Sequence, residues 1–193
     1  DIYLISDEVY EHLVFDGARH DSVLAHDELY QRAFVVSSFG KSYHVTGWKT
    51  GYVVAPPDLS AELRKVHQYV SFCGVTPLQW GLADFMAAHP EHISELPAFY
   101  QAKRDLFCDR LENSRFRFTR AAGTFFQLAD YSAIRDDLDD VAMAEWLTRE
   151  HGVAVIPISV FYQQPPQDLR LVRFCFAKRE ETLIQAAEKL CQI

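Results

Sequence analysis

No apolar run in this 193-residue sequence approaches the roughly 20 residues needed to span a bilayer. Basic charge is also in short supply, with 19 lysines and arginines against 27 acids and a formal net charge of −8. That balance argues against nucleic acid or an anionic membrane as a partner. Cys73, Cys108, Cys175 and Cys191 lie far apart and form no C-x-x-C pair. Their spacing suggests neither a zinc site nor a disulfide framework, and fits a reducing, cytoplasmic setting. Internal repeats and low-complexity tracts are missing as well. So is a leader: "DIYLIS" opens directly in a strand-like run, with no initiator methionine or signal peptide. Position 1 reads as a cut through a domain, and the chain as a fragment of something longer.

About half of the residues, 49%, are apolar and 24% are charged, the profile of a globular domain. "IYLISDEVY" reads as a buried strand ending at Ser6-Asp7, and "AFVVSSF" and "GYVVAPP" read as two more. "DLSAELRKVHQYVSF" has helical spacing after a Pro-Pro-Asp start. In "TPLQWGLADFMAAHP" Thr76 is expected as N-cap, with Pro77 first in the helix and Gln79 closing a capping box. A long amphipathic stretch, "EHISELPAFYQAKRDLFCDRLEN", contains Pro97 as a kink or boundary. Beyond Asn113 the period changes. "RFRFTR" alternates strictly and reads as a strand, as do "GTFFQLADY", "VAVIPI" and "LRLVRFCFA". A helix capped by Asp139 and stopped at Gly152, and a last one in "REETLIQAAEKLCQ", complete the chain. This order implies an α/β fold of two domains: residues 1–90, a bridging helix over 91–114, and an α+β unit over 115–193.

A lysine among small residues just past a buried strand needs a reason, because an ammonium is costly to desolvate. Lys41 in "SSFGKSYHVTGWKTGY" stands there, and Asp7 ends another strand. Open α/β sheets bind ligands outside the carboxyl ends of their strands. From the residues alone, a structural ion pair between Lys41 and Asp7 has even odds with a functional site.

"SDEVY", "SSFGKSYHVTGWKTGY" and "LVRFCFA", in that order, resemble the class I/II aminotransferases, which use pyridoxal phosphate. "GTFFQLADYS" and "EHGVAVIP" are similar to the kynurenine/methionine transaminase branch. The resemblance runs through essentially the whole chain but covers only the carboxyl-terminal half of such an enzyme. It implies a partial fold of that type: the end of the large-domain sheet over 1–90, then the bridging helix and the small domain. It also implies amino-group transfer between an amino acid of methionine, aromatic or kynurenine type and a 2-oxo acid, in a homodimer.

By the same resemblance Lys41 bonds covalently to the cofactor and shuttles the substrate Cα proton. This task needs an amine that can be neutral, as an arginine cannot. Asp7 pairs with the pyridine nitrogen, Tyr10 hydrogen-bonds the phenolic oxygen, and Ser38 and Lys49 bind the phosphate. Arg173 clamps the substrate carboxylate; Arg170, three residues earlier, faces the other side of the strand and is expected in solvent. Gly40 and Ser42 are expected to leave room for the cofactor, Tyr43 and His44 to flank the lysine, and Glu8 to be solvated. His89 and His92 read as a turn at a helix start rather than as metal ligands. Phe125, Phe126 and Phe161 read as core. At Ile158 many relatives have glycine, which leaves that loop's shape open. Two other readings keep the resemblance: a C–S β-lyase with the same residues, or a non-enzymatic regulator that senses pyridoxal phosphate.

Overall fold

Alternation along "AFVVSS" makes strand β2 (Ala33–Ser38), whose odd-numbered residues are buried and even-numbered ones half-buried. The structure, a computed structural model, describes residues 2–193. They form two compact units, one ending at Pro97 and the other spanning Ala98–Ile193.

In the first unit β2 is the centre of a three-stranded sheet. β1 (Leu4–Asp7) pairs parallel to it, with Asp7 opposite Val36, and β3 (Gly51–Val54) antiparallel, with Gly51 opposite Ser38. Leu13 and Phe15, together with Ala33 and Val35 of β2, are buried. The opposite face is open: Ile5 is 80% exposed and Val53 39%. β1 and β3 were expected to be buried strands. Each instead carries exposed apolar side chains, because period-2 burial of β2 covers one face only.

Between β1 and β2 lies a short helix, α1 (Asp27–Tyr30), and after β2 a single helical turn, α2 (Phe39–Ser42). α3 (Pro57–Val70) starts as expected at Pro57, whose fixed φ and missing N–H suit a first helical position. α4 (Thr76–Ala88) departs from expectation. Val75 is its N-cap and no side chain caps it, since Thr76 is already helical and its hydroxyl cannot reach the first free amides. Gln79 turns toward Gly74, where an added Cβ would come within 2.6 Å of its Nε2. α5 (His92–Leu111) runs unbroken past Pro97. Among the described residues no helix is long and apolar enough to cross a membrane.

The second unit has the larger core. Its sheet has the order β4 (Phe126–Asp130), β6 (Leu171–Cys175), β5 (Ile156–Pro157), all antiparallel. A short α6 (Ser132–Arg135) follows β4. α7 (Asp140–His151) buries Met143, Ala144 and Leu147, and α8 (Glu180–Leu190) buries Leu183, Ala187 and Leu190 at helical spacing. As expected, the Asp139 carboxylate caps α7, accepting from Ala142 N at 2.8 Å, and Gly152 ends it at φ +64°.

"RFRFTR" is not a strand beyond the single bridge between Arg117 and Asp130. The side chain of Gln127, buried in β4, takes the place of a ladder. Its Nε2 donates to Thr119 O at 2.8 Å, and its Oε1 accepts from Ala121 N at 3.0 Å. Gln127→Leu keeps the volume and strands both backbone groups. In the intact protein it is expected to cost about 2 kcal/mol, or about 4 °C in Tm by calorimetry. An unchanged Tm would mean that the burial of Phe116 alone holds this segment. "VAVIPI" is similarly short, pairing only at Ile156–Pro157, where proline cannot extend an edge ladder. Ile158 is buried with a right-handed backbone, φ −91°, so this position makes no demand for glycine.

Candidate active site

Register places Asp7 and Ser38 on one face of the first sheet. Asp7 is opposite Val36, and Ser38 lies two residues further along β2, so both side chains share the open face with Ile5 and Val53. Strand spacing and rise put their Cα atoms roughly 8 Å apart at the carboxyl ends of two parallel strands. Asp7 is exposed, and its Oδ1 accepts from Val9 N at 3.2 Å, which starts the turn that carries half-buried Tyr10.

Ser38 ends β2 and caps α2, its Oγ accepting from Gly40 N at 3.0 Å. Lys41 is half-buried inside that turn. Beyond the paired residues Ser38 and Gly51, Phe39 N donates to Thr50 O at 3.1 Å. The backbone of Lys49–Thr50 therefore runs beside Ser38–Phe39. Lys49 is exposed and left-handed, φ +53°, ending a 3-10 turn over Thr46–Trp48. It helps line a cavity of about 620 Å³ with Trp48, Gln79 and Met86, to which neither Lys41, Asp7 nor Ser38 contributes.

The small residues beside the lysine serve the backbone. A Cβ on Gly40 would meet Ser38 Oγ at 3.0 Å and Thr46 Cα at 3.1 Å, so glycine there lets the 46–48 turn cross over α2. Thr46 Oγ1 donates to Gly40 O at 3.0 Å and locks the crossing. Glycine at position 40 is therefore required by the backbone crossing itself, and Ser42 is buried.

Glu8 corrects a second expectation. It is buried at 5% exposure rather than solvated. Its carboxylate accepts from Ser6 Oγ at 3.0 Å, His20 Nε2 at 2.8 Å and Val23 N at 3.0 Å. Desolvation pushes its pKa up, but the hydrogen bonds from His20, Ser22, Val23 and Ser6 outweigh it and hold the group below its ordinary 4.5. Since the folded value is the lower one, the stabilisation is fully present above 4.5 and is lost as pH falls through the folded value. Glu8→Gln is expected to lower Tm at neutral pH, with the gap to wild type closing in a pH scan below that range. A gap that stays constant down to acid pH would show that the charge does not matter.

Tyr43 and His44 follow the lysine turn and find ring neighbours on α4 and α5. The Tyr43 ring stacks on His92 at 5.1 Å and meets Phe85 edge-on at 6.0 Å. His92 is the first residue of α5 and His89 the residue that ends α4, so both stand at helix ends. Among the described residues no group of three or more His, Cys, Asp and Glu could hold a metal ion.

Arg173 lies at the centre of the second sheet, between Leu128 and Ile156 in register, on the face away from buried Val172 and Phe174. Its guanidinium lies 4.6 Å from the Phe126 ring and 5.1 Å from that of Phe161. Among the described residues no carboxylate pairs with it. Phe126 is half-buried and Phe161 61% exposed, so neither is core; both rings lie at cation–π distance from the guanidinium instead. Phe125 is also only half-buried. Arg170 is half-buried rather than in solvent, donating to Asp136 O at 3.2 Å and Leu169 O at 3.1 Å.

A carboxylate and a hydroxyl lie on one sheet face, with two amines in the turns that follow. The family model for class I and II aminotransferases matches residues 1–190. The chain belongs to this aminotransferase family. A methionine aminotransferase of Escherichia coli is 55% identical over 193 residues, all of this chain and 50% of that protein. Its crystal structure superposes with a TM-score of 0.93 over 99% of this chain and 50% of its own. Kynurenine–oxoglutarate transaminase 1 of Mus musculus is 31% identical over 210 residues, covering 99% of this chain and 50% of its own. An aromatic aminotransferase from Pyrococcus horikoshii is 31% identical at a TM-score of 0.86, over 100% of this chain and 51% of its own. This aminotransferase chain thus spans about half the length of the relatives it matches.

The candidate residues Asp7, Tyr10, Ser38, Lys41, Lys49 and Arg173 come from sequence motifs alone, whereas the anchoring contacts of Glu8 and His92 emerge only from the structure. Besides Ser6, Glu8 finds partners 12 and 15 residues away, and His92 lies 50 residues from the turn it touches. No spacing rule connects such positions.

Proposed function

We propose that the protein containing this chain is a cytoplasmic, homodimeric aminotransferase that uses pyridoxal phosphate. Its amino donor is of the methionine, aromatic or kynurenine type and its acceptor a 2-oxo acid. One observation carries the reading: Asp7 and Ser38 share an open sheet face at the ends of parallel strands, with Lys41 in the turn that follows. The donor set fits the cofactor group by group. A carboxylate suits a cationic ring nitrogen, an amine suits an aldehyde, and a hydroxyl with an ammonium suits a phosphate. Bound there, pyridoxal phosphate supplies an aldehyde for the substrate's amino group and a ring that accepts the electron pair left at Cα.

Everything else falls to the chain. Asp7 holds the ring nitrogen's proton by charge, and Tyr10 donates its hydroxyl to the ring's oxygen. Ser38 and Lys49 bind phosphate, the lysine as a point charge without a fork. Lys41 in its neutral form takes the proton from the substrate Cα and returns it elsewhere, so transfer needs no bulk water. Arg173 meets the substrate carboxylate with two parallel N–H donors.

A donor panel with the intact enzyme tests the specificity. Methionine and aromatic amino acids are expected to outrun aspartate, in line with 55% identity to a methionine aminotransferase. A strong preference for aspartate would overturn that donor class. Thiol release from cystathionine without amino transfer would favour the C–S lyase chemistry instead.

A further inference from the structure

α2 is one turn long, and so short a helix has little stability of its own. Its amino end is held by Ser38 Oγ, and Thr46 Oγ1 already satisfies the Gly40 carbonyl, as described above. The carbonyl of Ser42, the last residue of α2, needs another partner, because the last carbonyls of a helix lack intrahelical donors. Ser42 is buried, so water is a poor substitute. Immediately afterwards His44 adopts φ +58°, a left-handed conformation uncommon for a residue with a side chain.

One side chain touches all three residues after the lysine. His92 Nε2 lies 2.7 Å from Ser42 O, and because a carbonyl only accepts, Nε2 carries the proton. The same ring stacks on Tyr43 at 5.1 Å with planes 25° apart, and meets His44 edge-on at 5.5 Å. Phe85 of α4 closes the cluster, 5.3 Å from His92 edge-on. His92 has a fixed base, since its own N–H donates to His89 O at 3.2 Å.

We propose that His92 is a positioning residue for Lys41: its Nε2–H fixes the Ser42 carbonyl, and so the turn from which the Lys41 amine reaches its target. The proposal rests on the reading of Lys41 as the cofactor's lysine. A ring nitrogen that carries a proton donates in the same direction whatever the other nitrogen carries. The titratable groups around it are Tyr43 and His44 beside α2, His89 at the end of α4, and Glu91 next to it in sequence.

The test uses the intact enzyme with His92→Phe, which keeps a stacking ring without the donor, and His92→Gln, whose amide can donate to the carbonyl. Three quantities are read besides Tm. They are the pH midpoint of the visible absorbance of the cofactor-loaded protein, kcat and KM for methionine, and the acylation rate of Lys41 in cofactor-stripped protein by peptide mapping. For His92→Phe we expect a midpoint shift of about half a pH unit, a changed acylation rate, and kcat roughly ten-fold lower with little change in KM. His92→Gln is expected to recover most of each. A lower Tm with an unmoved midpoint and acylation rate would overturn the proposal, as would a His92→Gln protein no better than His92→Phe. Should His92→Phe not fold, His92→Gln is compared with His92→Asn, whose shorter amide cannot reach; equal values would again overturn it. A wild-type enzyme in which the cofactor fails to protect Lys41 would defeat the underlying reading, and that outcome is visible before any variant is made.

Discussion

Lys41→Ala in the intact enzyme is expected to lower turnover of methionine with a 2-oxo acid by about 10⁴-fold, the upper range for loss of a general acid–base group. Binding of pyridoxal phosphate should survive, because Asp7, Ser38 and Lys49 stand on β1, on β2 and in the turn before β3. Lys41→Arg should be as damaging, since a guanidinium stays protonated and cannot accept the Cα proton. Added small amines should restore part of the turnover in Lys41→Ala and none in Lys41→Arg, where the side chain fills the space. In wild type, borohydride reduction followed by peptide mapping should place the cofactor label on Lys41. A label on Lys49 would remove Lys41 from the mechanism, as would near-normal turnover of Lys41→Ala.

The sequence made that experiment designable, and the reason is local. Asp7, Ser38 and Lys41 lie within or directly beside strands, where period-2 alternation and strand ends can be read from consecutive residues. The helices α7 and α8 were equally legible, α7 through its Asp139 and Gly152 caps and both through apolar spacing that is encoded within single turns. What escaped depends on distant partners. "RFRFTR" alternates like a strand, yet a buried glutamine in β4 binds its backbone and replaces the ladder. Thr76 and Gln79 have capping-box spacing, but the helix starts one residue early and leaves the hydroxyl inside it. Glu8, between two functional-looking neighbours, is a buried anchor whose partners come from the 20–23 segment. Local rules locate elements and strand-end chemistry. They do not reveal which side chain substitutes for missing backbone partners.

Arg173→Leu should produce the second large effect, and of a different kind. Truncating a charge-assisted pair typically costs 2–5 kcal/mol, so kcat/KM for an amino acid should fall at least about 30-fold. The loss should appear largely in KM, because the carboxylate contact is made before and during reaction alike. Tm should barely move. Arg173 lies on the open face of its sheet, near the rings of Phe126 and Phe161, and among the described residues it has no acidic partner to abandon. Arg173→Lys should recover only part of the affinity, since a point charge lacks both the fork and the planar face. Phe161→Ala should weaken binding more modestly, by loosening the guanidinium without removing it. Arg170→Leu is the contrasting case. Its guanidinium pairs with Asp136 at 3.4 Å and bonds the carbonyls of Asp136 and Leu169, so its loss should lower Tm and leave KM near wild type. If Arg170→Leu raised KM far more than Arg173→Leu, the two arginines would have to exchange roles. The face of β6 assigned to substrate would then be the wrong one.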